Sequence, residues 1–340
     1  MLSFKPLEKD NISEWNTYVF GHKSSEVFHL AEWAFVYKDT YNYTPYYYFL
    51  LEDDRIVGVL PFIHQTGIFK NIITTPPAGI LLNNVDKYKD ALYSFVKDLQ
   101  QKLKSSNLVL YNNYRLSTEM SVSEENVRIY KPMPSNVEDL RQSIGKKHRR
   151  NVRIATDLGL YHTVSQPADD RIDIFYQVYL RNYRDLGTPV NSINYFKKQA
   201  EYLGDYIRIL IVEKDELPIG AMWLLKYKDQ IISTEAATLR NFFSTRVNDY
   251  RFYQAFKYSL ENGVKEYNMG RSQKDTGAYN FKKSWGNCLI TDYPLYSTKK
   301  KLDIQEKRKI YSIMIKVWKN SPVSFTKLIG PIVRKNMYLE

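Results

Sequence analysis

The chain has 340 residues, 44% hydrophobic and 25% charged, a length that suits two domains and a composition that excludes wholesale disorder. Its one cysteine, Cys288, excludes an intramolecular disulfide and a multi-cysteine metal site and fits a reducing compartment, so the expected location is cytoplasmic. The net charge of +12 is local: residues 141–153 carry +6 and residues 299–340 carry +8, leaving the rest at −2, which argues against a general nucleic-acid coat.

The N-terminus, Met1-Leu2-Ser3-Phe4-Lys5-Pro6, lacks the apolar core of a secretion signal, and no window holds about 18 uninterrupted apolar residues, so no transmembrane segment is expected. Tyr46–Glu52, Asp53-Asp54-Arg55 and Ile56–Ile63 read as strand, tight turn, strand. A helix follows around 86–104, with Leu92, Phe95, Val96, Leu99 and Leu103 at helical spacing, and then a strand at Leu108–Tyr111. The same order returns later. Ile207–Glu213, the turn Lys214-Asp215-Glu216 and Pro218–Leu225 form a second hairpin, followed by a strand Ile231–Ala237, a helix near 248–262 ended by Gly263, and a strand Val264–Met269. The order implies a duplicated mixed α/β domain, at a period far longer than a solenoid's.

Between the copies, Ser135-Asn136-Val137-Glu138 has capping-box spacing for a helix running to Gly145. The basic run Lys146–Arg153 opens a helix stopped by Gly159, and an amphipathic helix at 170–186, with Ile172, Phe175, Val178, Tyr179 and Leu186 inward, ends at Gly187. The C-terminal segment holds two basic amphipathic stripes: Ile310, Ile313, Met314, Val317 and Trp318, then Phe325, Leu328, Ile329, Ile332 and Val333. Such a pair either packs back on the N-terminal domain or lies on an anionic membrane surface.

Several chemistries lack their signatures. The five histidines show no ligand spacing, so no metal is expected, and there is no Gly-x-Ser-x-Gly elbow, Walker loop or dinucleotide fingerprint. The stretch Asn268–Gly286 stands out: a strand end, a Gly-rich polar loop, and Phe281-Lys282-Lys283 ahead of Trp285-Gly286. Arg271 and Ser272, just after the expected strand end, are placed to hold a phosphate or a sugar hydroxyl, with Arg271 alternatively pairing with Asp275 or Asp292. Arg184, Arg150 and Lys147 are further candidates for an anionic acceptor or donor phosphate. No general base is singled out among Glu235, Asp249 and Asp275.

The repeated strand, strand, strand, helix, strand order resembles the GNAT acyltransferase fold, and the whole chain resembles the FemAB-like family of tandem acyltransferases. The resemblance rests on Phe28–Trp33, Gly58–Pro61, Gly145–Arg153, Arg184–Pro189, Gly270-Arg271-Ser272 and Tyr279–Gly286, covering about 28–296. It implies an α/β (α+β) fold of two tandem GNAT-like domains, at 1–145 and 146–298, plus the helical segment 299–340, expected to pack back on the first domain. It further implies transfer of an aminoacyl or acyl group to an amine of a sugar- or peptide-containing cell-envelope or polysaccharide precursor. In that reading Lys282 stabilises the oxyanion and Phe281 lies at the acyl-donor end, with Arg184, Arg271, Ser272, Tyr279, Arg150, Lys147 and Trp285 in substrate binding. The donor is either aminoacyl-tRNA or an acyl-CoA or acyl carrier, with no tightly bound cofactor, and 299–340 is a possible peripheral contact with the inner membrane surface. The chain departs from the acetyl-CoA pattern, because Leu239–Asn248 has no glycine where backbone amides usually cradle pyrophosphate. A CoA-dependent N-acetyltransferase acting on an aminosugar is the alternative, and a non-catalytic RNA or membrane-surface binding protein is the rival from another class.

Overall fold

The computed structural model describes residues 1–67, 70–298 and 314–337. One unit comprises Met1–Glu125 with the described residues of 293–306 and 335–340; the other comprises Asn126–Asp292 with those of 307–334. The first contains β1 (Leu2–Pro6), α1 (Ile12–Gly21), α2 (Trp33–Tyr41), β2 (Thr44–Glu52), β3 (Arg55–Gly67), β4 (Lys70–Thr74), β5 (Leu81–Leu82), α3 (Val85–Lys102), β6 (Asn107–Leu110) and β7 (Ser121–Ser123). The second runs through β8 (Asn126–Pro132), α4 (Val137–Ser143), α5 (Lys146–Asp157), β9 (Tyr161–Ser165), α6 (Asp169–Leu186) and α7 (Ile193–Leu203). It continues with β10 (Ile207–Lys214), β11 (Leu217–Tyr227), β12 (Gln230–Thr238), α8 (Val247–Glu261), β13 (Glu266–Gln273), α9 (Gly277–Lys283) and β14 (Leu289–Asp292). β15 (Leu295–Ser297) then returns to the first unit.

Both expected hairpins are present. Asp53 and Asp54 (φ 47° and 62°) join β2 to β3, and Asp215 and Glu216 (φ 50° and 64°) join β10 to β11. Two successive left-handed residues give a turn whose twist matches that of the flanking strands, and unbranched acidic side chains tolerate it better than β-branched ones.

The two sheets have the same plan. The first runs β1-β2-β3-β4-β6-β15-β7, with β5 against β3, and the second runs β9-β10-β11-β12-β13-β8-β14. Every pairing is antiparallel except β4 with β6 and β12 with β13, the matching positions of the two copies. In each sheet the next-to-last strand has been traded. β8 follows β7 directly in the chain yet pairs with β13 and β14, while β15 follows β14 yet pairs with β6 and β7. The domain boundary therefore falls at 125/126, ahead of the 145/146 expected from sequence, because residues 126–132 are a ladder strand of the second sheet.

Apolar faces of the central strands pack on helices. In the first unit Leu50, Leu60, Phe62 and Ile73 meet Leu92, Val96 and Leu99 of α3. In the second, Met222, Leu224, Tyr267 and Met269 meet Phe252, Ala255 and Phe256 of α8. Phe175, Tyr179, Phe196 and Trp223 interlock in a separate aromatic cluster within the second unit, where Trp223 Nε1 donates to Gln199 Oε1 at 3.0 Å. Burying side chains of this size contributes about 1.5–3 kcal/mol each. Leu186, expected inward, is 54% exposed, because α6 ends there and Gly187 (φ 79°) turns the chain away.

In the C-terminal segment, Ile310 and Ile313 of the expected stripe lie outside the described residues. Residues 314–320 are helical, and a helix Val323–Lys335 follows. Expected to pack on the first domain, this helix lies with the second unit over 323–334, while its last residue, Lys335, belongs to the first unit, where its carbonyl accepts from Tyr43 OH. A Cβ at Gly330 would come within 2.6 Å of Val190 Cγ2, and Arg334 Nε donates to Asn191 Oδ1 at 3.3 Å. Phe325, Leu328 and Ile332, one stripe at helical spacing, stay exposed.

Candidate active site

In the second unit the parallel pair splays open. β12 pairs with β13 only over Gln230–Ile232, opposite Glu266–Asn268, although β12 continues to Thr238 and β13 to Gln273. β8 holds the far side of β13, with a register shift between Asn268 and Arg271. The shift is built on Gly270, which sits at φ 74° with its N–H donating to Asn268 Oδ1 at 2.8 Å. A Cβ there would lie 3.0 Å from Ser233 O, so a larger residue would be both strained and crowded. The loop expected at Gly270 is thus a bulged strand. Arg271 and Ser272 belong to β13 itself, Arg271 exposed and Ser272 buried with its Oγ lacking a hydrogen-bond partner.

α9 closes back over this bulge. Thr276 caps it, its Oγ1 accepting from Tyr279 N at 3.3 Å. Lys282, on the last turn, reaches β13 and donates from Nζ to Arg271 O at 3.0 Å and Gly270 O at 3.5 Å. Burial, with the Arg271 charge adding to it, lowers its pKa to about 8. The ammonium thus stands at the mouth of the splay on a β13 carbonyl ledge. The neighbouring residues are divided between site and core. Phe281 packs edge-on to Phe252 and Trp285 (centroids 5.4 and 6.0 Å apart), Trp285 is fully buried, and Tyr279 carries Lys283 Nζ over its ring at 5.6 Å. Lys131 of β8, itself fully buried, donates to Gly286 O at 3.0 Å and pins the turn after α9.

Behind α9 lies a cluster that sequence reasoning did not assemble. His148 Nδ1 is 2.5 Å from Asp249 Oδ1, and His148 Nε2 is 2.8 Å from Ser284 Oγ. The imidazole is 2% exposed and stacks on Trp285 with centroids 4.0 Å apart and planes 13° apart. Of the three carboxylates considered as bases, Asp249 is therefore engaged with His148, Glu235 accepts from Tyr183 OH, and Asp275 is exposed in the turn after β13.

Two basic cavities flank these elements. One, of about 450 Å³, is lined by Arg181, Arg184, Arg240, Lys319 and Asp185, alongside Leu239–Phe242 where the glycine loop is missing. Arg184 pairs there with Asp185 at 2.7 Å. The other, of about 570 Å³, is lined by Arg141, Arg149, Arg150, Arg153, Glu138 and Gln142, with Arg149 tied to Ile144 O at 2.7 Å. Arg184 and Arg150 thus lie in separate cavities, and Lys147 is exposed on the first turn of α5. Asp292, one of the two partners expected for Arg271, binds Lys274 at 2.9 Å. Arg251, unremarked in the sequence, is buried on the floor below β11 and β12, where it donates to Ala237 O, to Ala221 O (3.2 Å) and to Thr238 Oγ1 (2.9 Å).

Residues 141–283, which hold this splayed sheet and the lysine over its opening, match the family described as acetyltransferase (GNAT) domain. The fold is similar to that of several solved structures, FemX among them. The FemX crystal structure superposes with a TM-score of 0.66 at 13% identity, covering 91% of this chain and all of that one. The C-terminal domain of a putative lysylphosphatidylglycerol synthetase from Agrobacterium fabrum gives 0.59 at 11% identity over 90% and 96% of the two chains. A tandem GNAT protein from the clavulanic acid biosynthesis pathway gives 0.56 at 10% identity over 89% and 100%. No curated protein sequence matches the chain.

Proposed function

We propose that the second unit transfers an aminoacyl or acyl group to an amine of a cell-envelope or polysaccharide precursor, with Lys282 stabilising the oxyanion. The observation that carries this reading is the Lys282 ammonium, held by the Gly270 and Arg271 carbonyls at the splay between β12 and β13. Acyl transfer to an amine builds negative charge on a tetrahedral oxygen, and a pre-positioned cation in a water-poor site stabilises it by a few kcal/mol. Phe281 supports the acyl-donor end through its packing on Trp285; Arg271, Ser272 and Tyr279 stand beside Lys282 for the acceptor. The likeness to FemX and to a putative lysylphosphatidylglycerol synthetase supports an aminoacyl group and a tRNA donor. The cavity lined by Arg181, Arg184, Arg240 and Lys319 favours a phosphate-bearing donor of either kind, including acyl-CoA, because side-chain cations there replace the amides of a glycine loop. Among the described residues no helix is long and apolar enough to cross a membrane. Exposed Phe325, Leu328 and Ile332 beside Lys327 support peripheral contact with the inner membrane surface from the cytoplasmic side. A thermal-shift panel of deacylated tRNA, CoA and acyl-CoA, followed by mass spectrometry of an aminosugar or peptide amine offered as acceptor, tests the assignment. Stabilisation by tRNA or CoA together with a mass gain on the acceptor is expected, and unaltered transfer by Lys282→Ala overturns the role given to that lysine.

A further inference from the structure

Ser284, His148 and Asp249 come from the end of α9, from α5 and from α8, and they meet in the hydrogen-bonded order of an activated serine. Ser284 is an exposed residue, while the imidazole and the carboxylate behind it are buried. Three contacts fix the ring: Asp249 Oδ1 at Nδ1 (2.5 Å), the Trp285 plane against one face, and Phe281 edge-on at a centroid distance of 5.8 Å. With Nδ1–H donated to Asp249, Nε2 is left as an acceptor pointing at the hydroxyl. Ser284 has one proton and two acceptors within reach, Phe281 O at 2.7 Å and His148 Nε2 at 2.8 Å. Turned to the carbonyl, the hydroxyl is an ordinary helix-end donor; turned to the imidazole, it is poised for deprotonation. The N-terminus of α5 adjoins the same residue, since a Cβ at Gly145 would lie 3.6 Å from Ser284 O, and its first-turn amides have no intrahelical acceptors.

We propose that Ser284 is a nucleophile that accepts an acyl group from an activated oxygen ester or thioester, an activity separate from the amine acylation assigned to Lys282. Ser284 Oγ attacks the carbonyl carbon as its proton passes to His148 Nε2. The carbon–oxygen or carbon–sulfur bond to the leaving group breaks, and the leaving alkoxide or thiolate takes that proton from the imidazolium, which Asp249 stabilises. Water then attacks the acyl-serine, giving its proton through His148 back to Ser284 Oγ, and the net reaction is ester hydrolysis. Sequence alone offers no such elbow motif, because Ser284 lies after a helix rather than between a strand and a helix.

The test is covalent labelling of the full chain with a fluorophosphonate probe, and with 4-nitrophenyl acetate followed by peptide mass spectrometry. One equivalent of adduct mapping to Ser284 is expected, absent from Ser284→Ala and formed roughly 100-fold more slowly by His148→Gln. Ser284 is exposed, so its alanine variant should keep the wild-type melting temperature. Ser284→Cys, alkylated by iodoacetamide faster at pH 6 than Cys288 or free cysteine, gives a second readout should His148→Gln fail to fold. Labelling should persist in Lys282→Ala, which separates this inference from the transferase reading. No adduct on wild-type Ser284, an undiminished adduct in Ser284→Ala, or an ordinary alkylation rate for the cysteine variant overturns it.

Discussion

The two units share one strand plan, yet one fills its splay and the other leaves it open. In the first, β4 stops at Thr74 and residues 75–80 fold across the end of β6. Thr75 Oγ1 accepts from Tyr111 N at 3.1 Å, Ile80 N donates to Asn112 Oδ1 at 2.9 Å, and Tyr114 OH donates to Ile80 O at 3.1 Å. Gly79 (φ 77°) is pressed so close that a Cβ would sit 2.0 Å from Tyr111 O. In the second, β12 runs six residues past its last pairing with β13, and the described residues place no such plug in the gap. One duplicated fold has thus become a filled copy suited to support and an open copy suited to chemistry. The open copy also carries the lysine.

The difference can be broken at several points. The largest effect is expected from Lys282→Ala, which should lower kcat for amine acylation roughly 100- to 1000-fold with the melting temperature nearly unchanged. A loss confined to KM would instead make Lys282 a binding group. In the filled copy, Gly79→Ala should cost about 2–3 kcal/mol of stability by strain at positive φ and collision with the Tyr111 carbonyl, while kcat of the folded fraction stays normal. A denaturant titration paired with activity separates the two outcomes. Arg184→Ala, in the cavity beside Leu239–Phe242, should raise KM for a phosphate-bearing donor about tenfold and leave kcat alone. The smallest effect is on pH dependence. A lysine acting as a cation works below its pKa, so the rate should halve near pH 8 and keep falling above it, and Lys282→Arg should push that fall out of range. A rate that rises through pH 8 would make Lys282 a base.

What the sequence discloses and what it hides follow from distance along the chain. The hairpins, the helix periods and the Gly159, Gly187 and Gly263 stops depend on neighbours a few residues apart, and they appear as expected except that Leu186, at the end of its helix, faces outward. The bulge at Gly270 looks like a loop because a glycine amid polar residues is the same signal in either setting; only the ladder to β8 tells them apart. His148 sits 101 residues from Asp249 and 136 from Ser284, so no spacing rule joins them. The trade of β8 and β15 is equally invisible, since the alternation of a short strand does not say which sheet receives it. Lys282 can be singled out in the sequence because Phe281, Trp285 and Gly286 stand within a few residues of it, while the role proposed for it comes from the FemAB-like resemblance.

The traded strands also decide how this molecule can be made or cut. The first sheet lacks its next-to-last strand until Leu295–Ser297 has been synthesised, so neither half is finished when the ribosome passes the boundary at 125. A fragment starting at residue 146 would keep Lys282, His148, Asp249 and Ser284 yet lose β8, baring the edges of β13 and β14 and deleting the Lys131 clamp on the turn after α9. Dissection into a minimal catalytic piece should therefore begin no later than Asn126.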